Sequence, residues 1–148
     1  MISHQEIFEP DFPAPYQRYY AQLIEFYNGR AHWEESVSSV PLPAIYLFCI
    51  HWLHAEVCNG GFHQFFFNST GMIAPEARDG FSAAGMPEIA DIVSSAMHRL
   101  GEPYPFERET RQALVGDLRQ DDASGRDTLH DASGRDTLPD FDDLDSAF

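Results

Sequence analysis

The 148-residue sequence contains no lysine. Its nine basic side chains are all arginine and face 24 acidic ones, for a formal charge of −15. That shortage of cations argues against direct nucleic-acid binding or attachment to an anionic membrane, since either needs basic side chains gathered against phosphates. Cysteine is scarce as well: Cys49 and Cys58 are the only two and cannot make a disulfide framework. No basic region followed by an apolar run opens the chain, so no signal peptide is expected. The longest apolar stretch, residues 42–58, is interrupted by His51, His54 and Glu56 and is too short to span a bilayer. A cytoplasmic protein with free thiols is the resulting expectation. Runs of period-two alternation are missing too, which predicts an all-α fold without a sheet.

Apolar residues make up 43% and aromatics 14%, enough for a core that needs no metal or disulfide to hold it. They are unevenly distributed. Up to Gly116 there are fourteen acids, six arginines and nearly all the aromatics, whereas residues 117–148 hold ten aspartates, three arginines and no glutamate. Residues 122–130 are followed at once by a second copy, 131–139, identical at eight of nine positions. Two copies of a short unit with one leucine cannot build a solenoid core, so the repeat reads as a local duplication in a disordered acidic tail. Phe141, Leu144 and Phe148 are expected on a frayed end. The chain thus divides into an arm at 1–14, a single compact domain of five to six helices at 15–116, and an acidic tail at 117–148.

Pro15 opens the first predicted helix, with Tyr16, Tyr19, Tyr20, Leu23, Ile24 and Tyr27 at helical spacing and Gly29 as its stop. The second spans 43–58, is apolar around most of its circumference and is therefore central; it ends at Gly60-Gly61. An aromatic segment, 62–67, follows. Three later helices open on a proline with an acid one or two residues on: Pro75-Glu76, Pro87-Glu88 and Pro105-Phe106-Glu107. The Pro87 helix sets Ile89, Ile92, Val93, Ala96, Met97 and Leu100 on one face before Gly101.

Helix geometry groups Ile45, Cys49, Trp52 and Glu56 on one face of the central helix, and His51, His54 and Cys58 on another. A carboxylate on the Trp52 face needs donors, and the candidates are the Gly60 and Gly61 backbone, Gln64 and Asn68. Glu56 and Asn68 then brace a tight helix–Gly-Gly–helix corner, or the same residues form a recognition site. His51, His54 and Cys58, with Cys49 and His63 nearby, are weak metal candidates: the residue types suit zinc, yet neither CxxC nor HExxH is present. No metal and no cofactor are expected. Neither thiol is marked as activated and no phosphate-cradling loop occurs, so no enzymatic activity is expected.

The string Glu56-Val57-Cys58-Asn59-Gly60-Gly61-Phe62-His63-Gln64-Phe65-Phe66-Phe67-Asn68-Ser69, with the helices to about Gly101, resembles the bacterial DNA-mimic-protein domain family. The family signature is acid-x-x-Asn-Gly-Gly-Phe-x-Gln-Phe-Phe-x-Asn. Over residues 15–115 the resemblance implies an all-α fold with an acidic surface imitating duplex DNA. Such a surface would occupy the DNA-binding face of a basic partner, a helix-turn-helix transcription factor being one candidate. Mimicry needs carboxylates spaced like phosphates, which advance about 3.4 Å each along a strand, and acids three apart on a helix come near that range. Candidate pairs are Glu6/Glu9, Glu76/Asp79 and Glu88/Asp91, with Glu25, Glu34, Glu35 and Glu102 available to extend a row. Residues 1–116 carry −8 and the tail −7, and only the former can have fixed geometry. The tail could steer a basic partner at long range. The sequence therefore predicts a non-enzymatic acidic regulator of transcription that binds a basic, DNA-binding protein, with a homodimer compatible. The alternatives are a small-ligand or metal site at the Glu56/Gln64/Asn68 corner, or an immunity-type or scaffold protein unrelated to DNA.

Overall fold

Proline or glycine stands at several of the helix ends. The computed structural model describes residues 16–116 and 140–148, over which the chain forms seven α-helices and no strand. They are α1 (Tyr20–Leu23), α2 (Arg30–Ser36), α3 (Leu42–Phe67), α4 (Ala74–Ala83), α5 (Pro87–Leu100), α6 (Arg108–Val115) and α7 (Asp142–Ala147). The all-α expectation holds, with more helices than anticipated. Pro75 and Pro87 stand in the first turns of α4 and α5, followed by Glu76 and Glu88 as the dipole favours. The third opening is shifted: α6 starts at Arg108, with Glu107 at its N-cap position, so Pro105 lies ahead of the helix.

The N-terminal tyrosine-rich segment is not one α-helix. It alternates short 3-10 turns, Gln17–Tyr19 and Ile24–Asn28, around the four-residue α1. The Trp33 indole takes the Leu23 carbonyl (2.9 Å) and the Ser36 hydroxyl takes that of Gln22 (3.3 Å), so α2 claims acceptors at the point where a regular ladder would use them. Gly29, at φ 94°, ends the segment as expected. α2 itself was illegible because Trp33 is its one buried side chain, and one residue makes no stripe.

α3 is the central element, with Ala44, Ile45, Phe48, Cys49, Trp52, Leu53 and Val57 buried in its first limb. At Gly60 and Gly61 the backbone leaves helical geometry and a second limb, 62–67, begins. α4 and α6 pack along α3, α5 packs on α4, and α7 rests on α3 and α5. Two aromatic clusters fill the core. Phe26, Phe48 and Trp52 join the N-terminal segment to the first limb. Phe62, Phe66, Phe141 and Phe148 join the second limb to the C-terminus.

That second cluster corrects the frayed end predicted for Phe141, Leu144 and Phe148. Phe141 is buried, and Leu144 and Phe148 are half-buried against the core. Burying a phenylalanine is worth about 1.5–3 kcal/mol, enough to hold a short helix that composition alone assigns to a solvated tail. The expected arm at 1–14 and the disorder expected of 117–139 lie outside the described residues.

Candidate functional site

The corner is built on an absent side chain at two successive positions. A Cβ on Gly60 would lie 2.3 Å from Gln64 Oε1, and Gly61, at φ 70°, occupies backbone space that side chains disfavour. Folding the second limb back at this point brings Gln64 and Asn68 under Glu56. Gln64 Nε2 donates to Glu56 Oε2, Asn68 Nδ2 donates to the same oxygen (3.0 Å), and Thr70 Oγ1 donates to Oε1 (3.2 Å). Asn59 Nδ2 extends the chain of bonds onto Gln64 Oε1 (2.9 Å). Of the donors anticipated for Glu56, Gln64 and Asn68 serve and the Gly60 and Gly61 amides do not. Thr70 was not foreseen. With both carboxylate oxygens engaged from within, the corner is a brace.

A second brace closes the other end of the limb. Helix C-termini leave carbonyls without partners and carry partial negative charge. α6 supplies the donors: Arg111 Nε to Phe66 O (3.0 Å) and Nη2 to Asn68 O (2.9 Å), Arg108 Nε to Phe67 O (3.3 Å), and Gln112 Nε2 to Phe67 O (3.0 Å). Arg111 Nη1 also reaches the Pro105 and Phe106 carbonyls. Its side chain is fully buried, and burial pulls the guanidinium below its ordinary value. An arginine at a core position gave no periodic signal in the sequence.

The start of the limb is held by α7. Phe62 N–H donates to Asp145 Oδ1 (2.7 Å), across 83 residues. A Cβ on Gly61 would lie 2.2 Å from Asp145 Oδ2, so the glycine also makes room for this carboxylate. Burial raises the Asp145 carboxyl, partly offset by the Phe62 bond, and Asp142, Asp140 and Asp143 raise it further. Arg99 forks onto Asp143 through two bonds of 2.7 Å and also meets the Asp140 carbonyl. Phe148 lies against His54, Phe62 and Phe81.

The other sequence candidates scatter. His54 Nε2 and Cys58 Sγ stand 3.6 Å apart, His51 packs by Trp52, and His63 Nε2 meets the Gly116 carbonyl (3.2 Å). Cys49 is buried and its thiol pushed well up by burial. Among the described residues no three metal-ligating side chains gather. An open cleft of about 490 Å³ lies elsewhere, lined by Arg78, His98, Glu102 and Tyr104 among others, and shares no residue with the corner.

Among the candidate mimic acids, Glu76 is bound by Arg30 through two bonds, 2.6 and 3.0 Å, with its side chain 17% exposed. Arg30 also holds Glu34, Arg78 holds Asp79, and His98 meets Glu102. Glu25 accepts from Asn28 and His32, which lower its carboxyl. Glu35, Glu88 and Asp91 are exposed and form no ion pair with a described residue. Glu6 and Glu9 lie outside the described residues.

These features define an all-helical acidic domain whose glycine corner is a structural joint tied at both ends. The family described as DMP19-like protein matches residues 38–148, and the chain belongs to this family of DNA-mimic domains. The match takes in α7, which the resemblance read from the sequence left outside. No curated protein and no solved structure matches the chain. Among the described residues no helix is long and apolar enough to cross a membrane.

Proposed function

We propose that this protein is a non-enzymatic DNA mimic that binds a basic, DNA-binding protein and keeps it from its site. Family membership carries the reading, and the allocation of charge supports it. Five of the six arginines among the described residues are tied up internally. Arg30, Arg78 and Arg99 hold carboxylates, while Arg108 and Arg111 hold backbone carbonyls. Exposed acids are left in excess on a rigid support. Glu88 and Asp91 stand one turn apart on α5, near the spacing of successive phosphates. Docking of α7 adds exposed Asp140 and Asp142 to fixed surface. Glu76, paired with Arg30, contributes no free charge to that surface, which leaves α5 and α7 to carry it.

A helix-turn-helix transcription factor fits this chemistry, because its recognition helix carries the cations that meet phosphates. The test is affinity capture from the source organism, followed by titration of the captured protein with competing duplex DNA. A mimic loses its partner to duplex DNA and to added salt, as phosphate contacts do. Binding indifferent to both would eliminate the reading.

A further inference from the structure

We propose that the glycine corner and the surface beside it form a receptor for a short acidic helix flanked by phenylalanines, and that α7 of a second copy can occupy it. This stands apart from mimicry. The resident α7 defines what the receptor recognises. Phe141 packs on Phe62 and Phe66, Phe148 packs on His54, Phe62 and Phe81, Asp145 meets the Phe62 N–H, and Asp143 meets Arg99. Two apolar anchors and two carboxylates thus read one eight-residue segment, 141–148. Without it, Phe62, Phe66 and Phe81, now buried, would lose part of their cover, so the surface favours being filled.

α7 joins the rest of the described chain only through residues 117–139. That length of chain extends to about 80 Å at most, beyond the width of a domain of this size, so the helix can reach a neighbouring molecule. Each copy carries one helix and one receptor. Reciprocal exchange therefore closes into a two-fold pair using the same contacts, a low-cost route to a dimer. Closure within one chain competes at an effective concentration near millimolar, so exchange emerges when that closure is disabled or the protein is concentrated.

Full-length variants test this. One chain carries Phe141→Ala and Phe148→Ala, the other Gly61→Ala, whose methyl group would collide with Asp145. Sedimentation should find each chain monomeric, the mixture a one-to-one dimer, and the dimer dissolved by excess peptide of sequence 140–148. The labelled peptide should bind the double-alanine chain at least about tenfold more tightly than the unaltered chain, where α7 competes. A mixture of folded chains that stays monomeric overturns exchange. Equal peptide binding by the Gly61→Ala chain overturns the receptor. If circular dichroism shows either variant unfolded, the unaltered chain decides: it must dimerise, peptide-sensitively, as its concentration approaches about 1 mM, and a strict monomer overturns the proposal.

Discussion

Glu56 and Arg111 do complementary work around one six-residue limb. Glu56 collects three side-chain donors, whereas Arg111 distributes its donors over backbone carbonyls. Removing Glu56 takes the acceptor from part-buried amide donors, and removing Arg111 takes a buried donor from several carbonyls. Glu56→Gln should cost about 1–2 kcal/mol, because the amide presents one acceptor and one donor to a ring of donors. Glu56→Ala should cost more, and urea unfolding at neutral pH measures both. Arg111→Met fills similar volume but strands the carbonyls, so a loss of about 3 kcal/mol or more is expected in the same measurement. The Glu56 brace was readable because the Trp52 face left a carboxylate in need of donors. Arg111 was not, since an arginine within a polar helix reads as solvated until its surroundings are known.

α7 is the element that composition concealed. Its docking should depend on pH in two opposed ways. The Asp143 carboxyl is lowered, chiefly by its bonds from Arg99, so its contribution is present above the unfolded value and lost as pH falls through the lowered one. Asp145 is raised, chiefly by burial, so its contribution is present below the unfolded value and lost as pH rises through the raised one. Docking should therefore tighten as pH falls through the raised Asp145 value toward the unfolded one, and loosen at lower pH as Asp143 protonates through its lowered value. Hydrogen exchange of the α7 amides reports this, and Asp145→Asn should abolish the first phase while keeping an oxygen for Phe62 N–H. The duplicated unit lies between two anchored points, Gly116 on His63 and Asp145 on Phe62. Closure cost grows only logarithmically with length, so deleting residues 131–139 should change stability by less than about 1 kcal/mol, as thermal unfolding would show.

For the molecule as a whole, the charge of −15 has become a distribution. Arg30–Glu76 and Arg99–Asp143 join elements, α2 to α4 and α5 to α7, and those acids are committed to the fold. Glu88 and Asp91 remain exposed. Replacing both by glutamine should weaken binding to a DNA-binding partner and lower the salt dependence of that binding, while circular dichroism stays unchanged. The same substitutions at Glu34 and Glu102, already in local pairs, should have less effect on the salt dependence.

Backbone chemistry and apolar periodicity were enough to reach the helical class, the central helix, the openings of α4 and α5 and the glycine corner. Each rests on contacts within one turn or on a proline or glycine that restricts the chain locally. Pairings across the chain depended on folding: Thr70 under Glu56, Arg111 within the carbonyls of another helix, Asp145 on an amide 83 residues earlier, and Arg30 binding Glu76. Such contacts leave no periodic trace, because either partner alone is an ordinary polar residue. Only the packed chain could separate acids that hold the molecule together from acids that face outward, since that difference lies in what stands beside each carboxylate.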